Sequence, residues 1–257
     1  MPFVAMLLAL VPSFSAGGPI EDPRPEITHL VTDLDAAVEK NGKGDTQAIE
    51  IVGRLAGMYE KCTPAERELV VKQVGRALRD PRPRPDKKSF EDRLAMASAQ
   101  ALGSMGDAGA KELAPALALK HFRIDGPLTE ETIAQLGRTR AKQAIDPLLE
   151  MAGTRSLYCV RGAARGAAYW GEADGATRKK LFEGLLKPMQ SMADEVRSSS
   201  VAVGGPVIVA KEIFEGAREA AYAAYSELSG VSEARDIDAW LAWWNNNKTK
   251  SWDKKKT

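Results

Sequence analysis

Apolar side chains recur roughly every three to four residues through most of this chain, the spacing that gathers them on one face of an α-helix. Ile27, Leu30, Leu34 and Val38 form the first such stripe and predict a helix over 27–40, ended by Asn41-Gly42-Lys43-Gly44. Asp45 stands where a capping side chain would open a second helix, with its stripe at Ile49, Val52, Leu55 and Met58. Thr63-Pro64-Ala65-Glu66 is a fuller start signal: threonine as the N-cap, proline in the first turn and glutamate closing a capping box. Leu69, Val70, Val74 and Leu78 continue from it. Residues 80–88 (DPRPRPDKK) then break the period, because their alternating prolines lack N–H donors and bias the preceding residues toward extended backbone. The segment is read as a solvated basic loop rather than as a grip on an anionic partner.

Beyond that loop the helical pattern returns in pairs. Helices are expected over 90–105 and 108–121 around a Gly106-Asp107 turn, over 128–137 and 141–151, over 157–170 and 176–192, and over 211–228 and 236–247. The stretch 198–209, with Gly204, Gly205 and Pro206 at its centre and β-branched flanks, predicts a loop insertion, read first as a disordered or packed connector and otherwise as a binding loop of the kind repeat arrays often carry. Leu102-Gly103, Leu136-Gly137 and Trp170-Gly171 place a large apolar residue followed by glycine three times at a spacing of 34 residues. A fixed period of this length, with no evident strand, is the mark of stacked helical hairpins.

The string ALGSMGDAGAKELAPAL, residues 101–117, resembles a HEAT repeat, in which Leu-Gly ends the first helix, Gly-Asp makes the turn and Ala, Pro and Leu pack the second. Leucine fills the core between hairpins, glycine lets the chain leave the helix and aspartate caps the next one. A tetratricopeptide repeat shares the period but carries Leu-Gly early in its first helix. Ala144-Ile145-Asp146-Pro147-Leu148-Leu149 resembles a second helix of the same kind. Residues 225–248 are similar to the closing element of exported bacterial HEAT-repeat proteins of unassigned role, which end in a Trp-x-x-Trp-Trp helix and a basic tail. The likeness runs over 45–248 and is strongest at 101–117. It implies an all-α, right-handed superhelix of about five hairpins spanning 27–248, capped by the first helix and by the tryptophan helix, with 249–257 as a basic tail whose lysines after Trp252 are solvated.

At 257 residues and 44% hydrophobic, the chain can bury a full core without disulfides or metals. A formal charge of +1 provides no global field for nucleic acid, and nucleic-acid binding is not expected. Residues 3–11 are an unbroken apolar run followed by Pro12 and Ser13-Phe14-Ser15-Ala16, which resembles a secretory signal peptide cleaved after Ser15. No Lys or Arg precedes the run. Export to the periplasm or beyond is therefore expected, with 1–15 as signal and 16–26 as an extended lead-in. No later segment approaches the roughly 20 apolar residues that span a bilayer, and a monomer is expected. Cys62 and Cys159 lie about three hairpins apart, too far for a disulfide, and are read as free, mostly buried thiols.

Catalytic chemistry has little to work with. His29 and His121 are the two histidines and neither precedes a glutamate, so no metal site or cofactor is expected, and no catalytic residue. The second helix of each hairpin lines a solenoid's inner face, and there Lys72, Arg76, Lys111, Glu112 and Lys142 are candidate binding residues by position. Arg161 and Arg165, four apart beside Tyr158, could clamp a carboxylate or phosphate, or pair with acids on neighbouring repeats. Gly204 and Gly205 mark the insertion as a further candidate. Trp240, Trp243 and Trp244 share one helical face, suited to closing the solenoid or to stacking on a ligand. The expected function is a non-catalytic protein- or peptide-binding scaffold. The alternative comes from the resemblance: HEAT-like repeats also occur in phycobilin lyases, which implies an enzyme acting on a chromophore or other small ligand.

Overall fold

The computed structural model describes residues 22–40, 42–80, 93–122, 126–198, 205–232 and 236–253. Among them the chain is all-helical, with eleven α-helices and no strand. These are α1 (Pro25–Glu39), α2 (Asp45–Met58), α3 (Pro64–Arg79), α4 (Arg93–Gly103), α5 (Gly106–Ala116), α6 (Pro127–Arg138), α7 (Ile145–Ala152), α8 (Leu157–Ala168), α9 (Gly175–Ser198), α10 (Gly205–Ser229) and α11 (Ile237–Asn247). None is long and apolar enough to cross a membrane. The expected signal segment, most of the 80–88 loop and Gly204 lie outside the described residues.

Local signals account for most helix starts. Thr63 accepts from the Glu66 N–H while the Glu66 side chain accepts from the Thr63 N–H, the full capping box. Ser156 and Asp236 cap α8 and α11 in the same single-bond way. Asp45 does not cap α2: Gly44 occupies the N-cap and Asp45 is the first helical residue.

Helices α2, α4, α6, α8 and α10 pack in succession, and α1, α3 and α5, then α7, α9 and α11, pack alongside them. One apolar core runs through the described residues between these two files. Helix α6 lies at its centre, buried from Leu128 to Gly137 on every face, because α4 covers one side and α8 the other. Leu102 and Leu136 are fully enclosed, as the 34-residue repeat requires, and Trp170 is nearly so.

The repeated glycines have a different task from the one their position suggests. Gly103, Gly137 and Gly171 do not adopt the left-handed conformation, so none is needed to turn the chain out of its helix. They are contact points. A Cβ on Gly137 would sit 2.3 Å from the Gly166 Cα of α8, and one on Gly171 would sit 2.9 Å from the Glu227 carbonyl oxygen of α10. At Gly137 two helix backbones touch, at Gly171 the turn after α8 meets the α10 backbone, and at Gly103 the space is taken by the Gln135 side chain of α6.

Both ends are tied down by long-range contacts. The extended lead-in stops at Arg24, since Pro25 and Glu26 already belong to α1. Arg24 donates to Glu66 Oε1 from its main-chain N–H at 2.9 Å and from Nε at 2.8 Å, and to Oε2 from Nη2 at 3.0 Å. At the other end Trp240 is fully buried and stands edge-on to Phe182 and Tyr225, at centroid distances of 5.9 and 5.4 Å. Of the expected basic tail, residues 249–253 are described; they are mostly exposed yet fold back onto the helices, and the lysines after Trp252 lie outside the described residues. Trp252 packs on Trp243, Trp244 and Phe182, and Asp253 Oδ1 accepts from the Gly175 N–H at 2.8 Å, because the large indole gains more by covering the aromatic cluster than by facing water.

The insertion is shorter than 198–209. Ser198 ends α9 and Gly205 opens α10, so Pro206 falls in a first helical turn, where its missing N–H costs nothing. Ile208 and Val209 lie on that turn and stay exposed.

Candidate functional site

The second helices carry the most distinctive charged surface. A depression of about 870 Å³ lies between α3 and α5, where Arg67, Glu68, Lys72 and Arg79 face Lys111 and Glu112 beside Val71 and Ala108. Lys111 also lines a second depression, of about 540 Å³, closed on its far side by Arg140, Lys142 and Gln143 of the turn before α7. The two meet at Lys111 and are together termed the groove. Arg79 is paired with Glu112, and Arg67 donates to the Tyr59 and Glu60 carbonyls. Lys72, Lys111, Arg140 and Lys142 are left without an ion pair among the described residues. Surplus cations in a hollow attract a carboxylate-bearing partner.

Three of the five positions expected on this face therefore line the groove as available cations: Lys72, Lys111 and Lys142. Glu112 lines it too, as the partner of Arg79. Arg76 faces away and pairs with Asp35 and Glu39 of α1. One turn of a helix separates Arg76 from Lys72, and the carboxylates of α1 decide its direction.

No protein-family model matches the chain, and no curated protein matches it significantly.

Arg140 escaped the sequence reading. Its φ is +53°, the left-handed region that non-glycine residues avoid, and it stands 34 residues after Gly106, whose φ is +58°. The same positive φ thus recurs one repeat apart, with glycine at one position and arginine at the next. Holding arginine there costs about 1–2 kcal/mol. The signal was present in the repeat register, since aligning Gly103 with Gly137 also aligns Gly106 with Arg140.

Arg161 and Arg165 are committed elsewhere. Arg161 donates through Nε to Glu130 Oε2 at 2.7 Å, and Arg165 bonds Glu130 at 2.8 Å and Glu131 at 3.0 Å. Both glutamates are buried on α6. Burial opposes the charge on Glu131, but hydrogen bonds from Gln135 and Gln100 and the adjacent Arg165 hold its carboxyl below the usual range. Tyr158 lies under the Arg161 guanidinium at 5.2 Å. The cluster joins α8 to α6 through internal carboxylates that engage both guanidinium groups, although Arg165 stays exposed. Of the insertion candidates, Gly205 is the first residue of α10 and Gly204 lies outside the described residues.

A cavity of about 490 Å³ was not foreseen. It opens between α5 and α7, with Leu117, Phe122, Met151 and Cys159 among its walls. Cys62 and Cys159 are free thiols, the first buried and the second half-buried. Among the described residues no group of His, Cys, Asp and Glu is arranged to hold a metal ion.

Proposed function

We propose that the chain is a HEAT-type solenoid, a right-handed superhelix of about five hairpins, and that it acts as a non-catalytic scaffold binding a protein or peptide along its second helices, in the cell envelope or outside the cell. The observation that carries the binding reading is the groove of Lys72, Lys111, Arg140 and Lys142, cations without an ion pair among the described residues of a chain whose formal charge is only +1. The packing order of the two files supports the solenoid. Co-purification from an envelope fraction, followed by binding of the purified partner, tests the reading. An acidic protein should bind the wild type and lose most of its affinity to the Lys72→Glu, Lys111→Glu, Lys142→Glu variant. A partner indifferent to that reversal would refute it. A lyase-like enzyme is the second reading, favoured by the apolar cavity beside Cys159. A coloured or other small molecule retained through purification would select it.

A further inference from the structure

The charged depression and the apolar cavity follow one another along the same two elements. On α5, Asp107 and Lys111 border the charged depression, while Ala114 and Leu117, one and two turns on, border the cavity. On the facing element Lys142 and Gln143 border the first, and Pro147 and Met151 the second. The chemistry changes along this line. At one end Lys111, Arg140 and Lys142 outnumber Asp107. At the other the walls are mostly apolar, and Glu150 is the acid at the rim. A carboxylate is thus favoured at the first end and repelled at the second, where a hydrocarbon side chain would be sheltered from water.

We infer that the surface between α5 and α7 takes an extended acidic segment of a partner protein, with its carboxylates against Lys111, Arg140 and Lys142 and one large aliphatic side chain inserted between Leu117, Phe122 and Met151. This rests on the scaffold reading above and adds the sequence character of the ligand. The spacing follows from the helix. Lys111 and Leu117 are six positions apart, about 9 Å at 1.5 Å per residue. An extended peptide covers that distance in about three residues. The recognised pattern is therefore a pair of acidic residues with a leucine or similar side chain about three positions away.

Fluorescence anisotropy tests it with two labelled peptides, one carrying adjacent glutamates and a leucine at about that spacing, the other with the leucine replaced by serine. The leucine peptide should bind about tenfold or more tightly. Ala118, exposed on the cavity rim, provides a variant that leaves the core untouched. Ala118→Trp should fill the cavity and weaken the leucine peptide by a similar factor while leaving the serine peptide unchanged. Equal binding of the two peptides, or equal weakening of both by Ala118→Trp, would overturn the inference and leave the charged groove standing. If neither peptide shows binding that depends on its glutamates and on Lys111 and Lys142, the inference and the scaffold reading fail together.

Discussion

Gly106 and Arg140 adopt nearly the same positive φ one repeat apart, and only glycine does so at little cost. Replacing Arg140 by glycine should relieve about 1–2 kcal/mol of backbone strain and add about 0.5–1 kcal/mol of unfolded-chain entropy, a net gain of about 0.5–1 kcal/mol. If the side chain serves the groove, the same variant should bind acidic peptide more weakly. Thermal unfolding and anisotropy measured side by side check this, and a variant that is less stable would contradict the strain argument. The glycines of the Leu-Gly repeat make a complementary case. Gly137→Ala forces a methyl group against the α8 backbone and should cost about 2 kcal/mol or more, whereas Gly53→Ala enters open space mid-helix and should stabilise by about 0.5–1 kcal/mol. Denaturant titration of both variants separates close packing from helix propensity. The sequence located these glycines through their period but could not show their contacts, because a glycine leaving a helix and one admitting a neighbouring helix look alike in one dimension.

At the scale of elements, helix boundaries were legible where a side chain caps the backbone locally, as Thr63 and Glu66 do. Contacts that join distant segments were not. Arg24 reaches Glu66 across 42 residues, and Glu130 and Glu131, charged residues that pattern alone would assign to the surface, are buried by α8 and its two arginines. The Arg24 contact sets a pH dependence. Hydrogen bonds from the Arg24 side chain and main chain, and from the Thr63 N–H, hold the Glu66 carboxyl down to about 2. An unfolded glutamate titrates near 4.3. A lowered folded pKa means that the contribution is fully present above the unfolded value and is lost as pH falls from about 4.3 toward about 2. Stability followed by thermal unfolding should therefore drop across that window, and Glu66→Gln should be less stable at neutral pH and flatter below it. A variant with the wild-type slope would assign the acid transition to other carboxylates.

The whole molecule is closed at its C-terminal end by a cluster in which Trp240 is fully enclosed and Trp243, Trp244 and Trp252 surround Phe182. Trp240→Ala should cost about 3–5 kcal/mol, measurable by denaturant unfolding, and should leave peptide affinity unchanged at temperatures where the variant is folded. Lost binding with unaltered stability would make the tryptophans a ligand surface instead of a cap. What remained hidden from the sequence at this scale was the placing of charged and apolar hollows one after another along α5, since their walls come from segments scattered between Pro64 and Cys159. The central claim is that this face binds an acidic chain. Selection from a random peptide display on the purified protein tests it most directly. The recovered sequences should be rich in Asp and Glu with a large aliphatic residue nearby, should be released by raised salt, and should not be recovered on the Lys72→Glu, Lys111→Glu, Lys142→Glu variant. Basic or neutral sequences, or equal recovery on that variant, would contradict it.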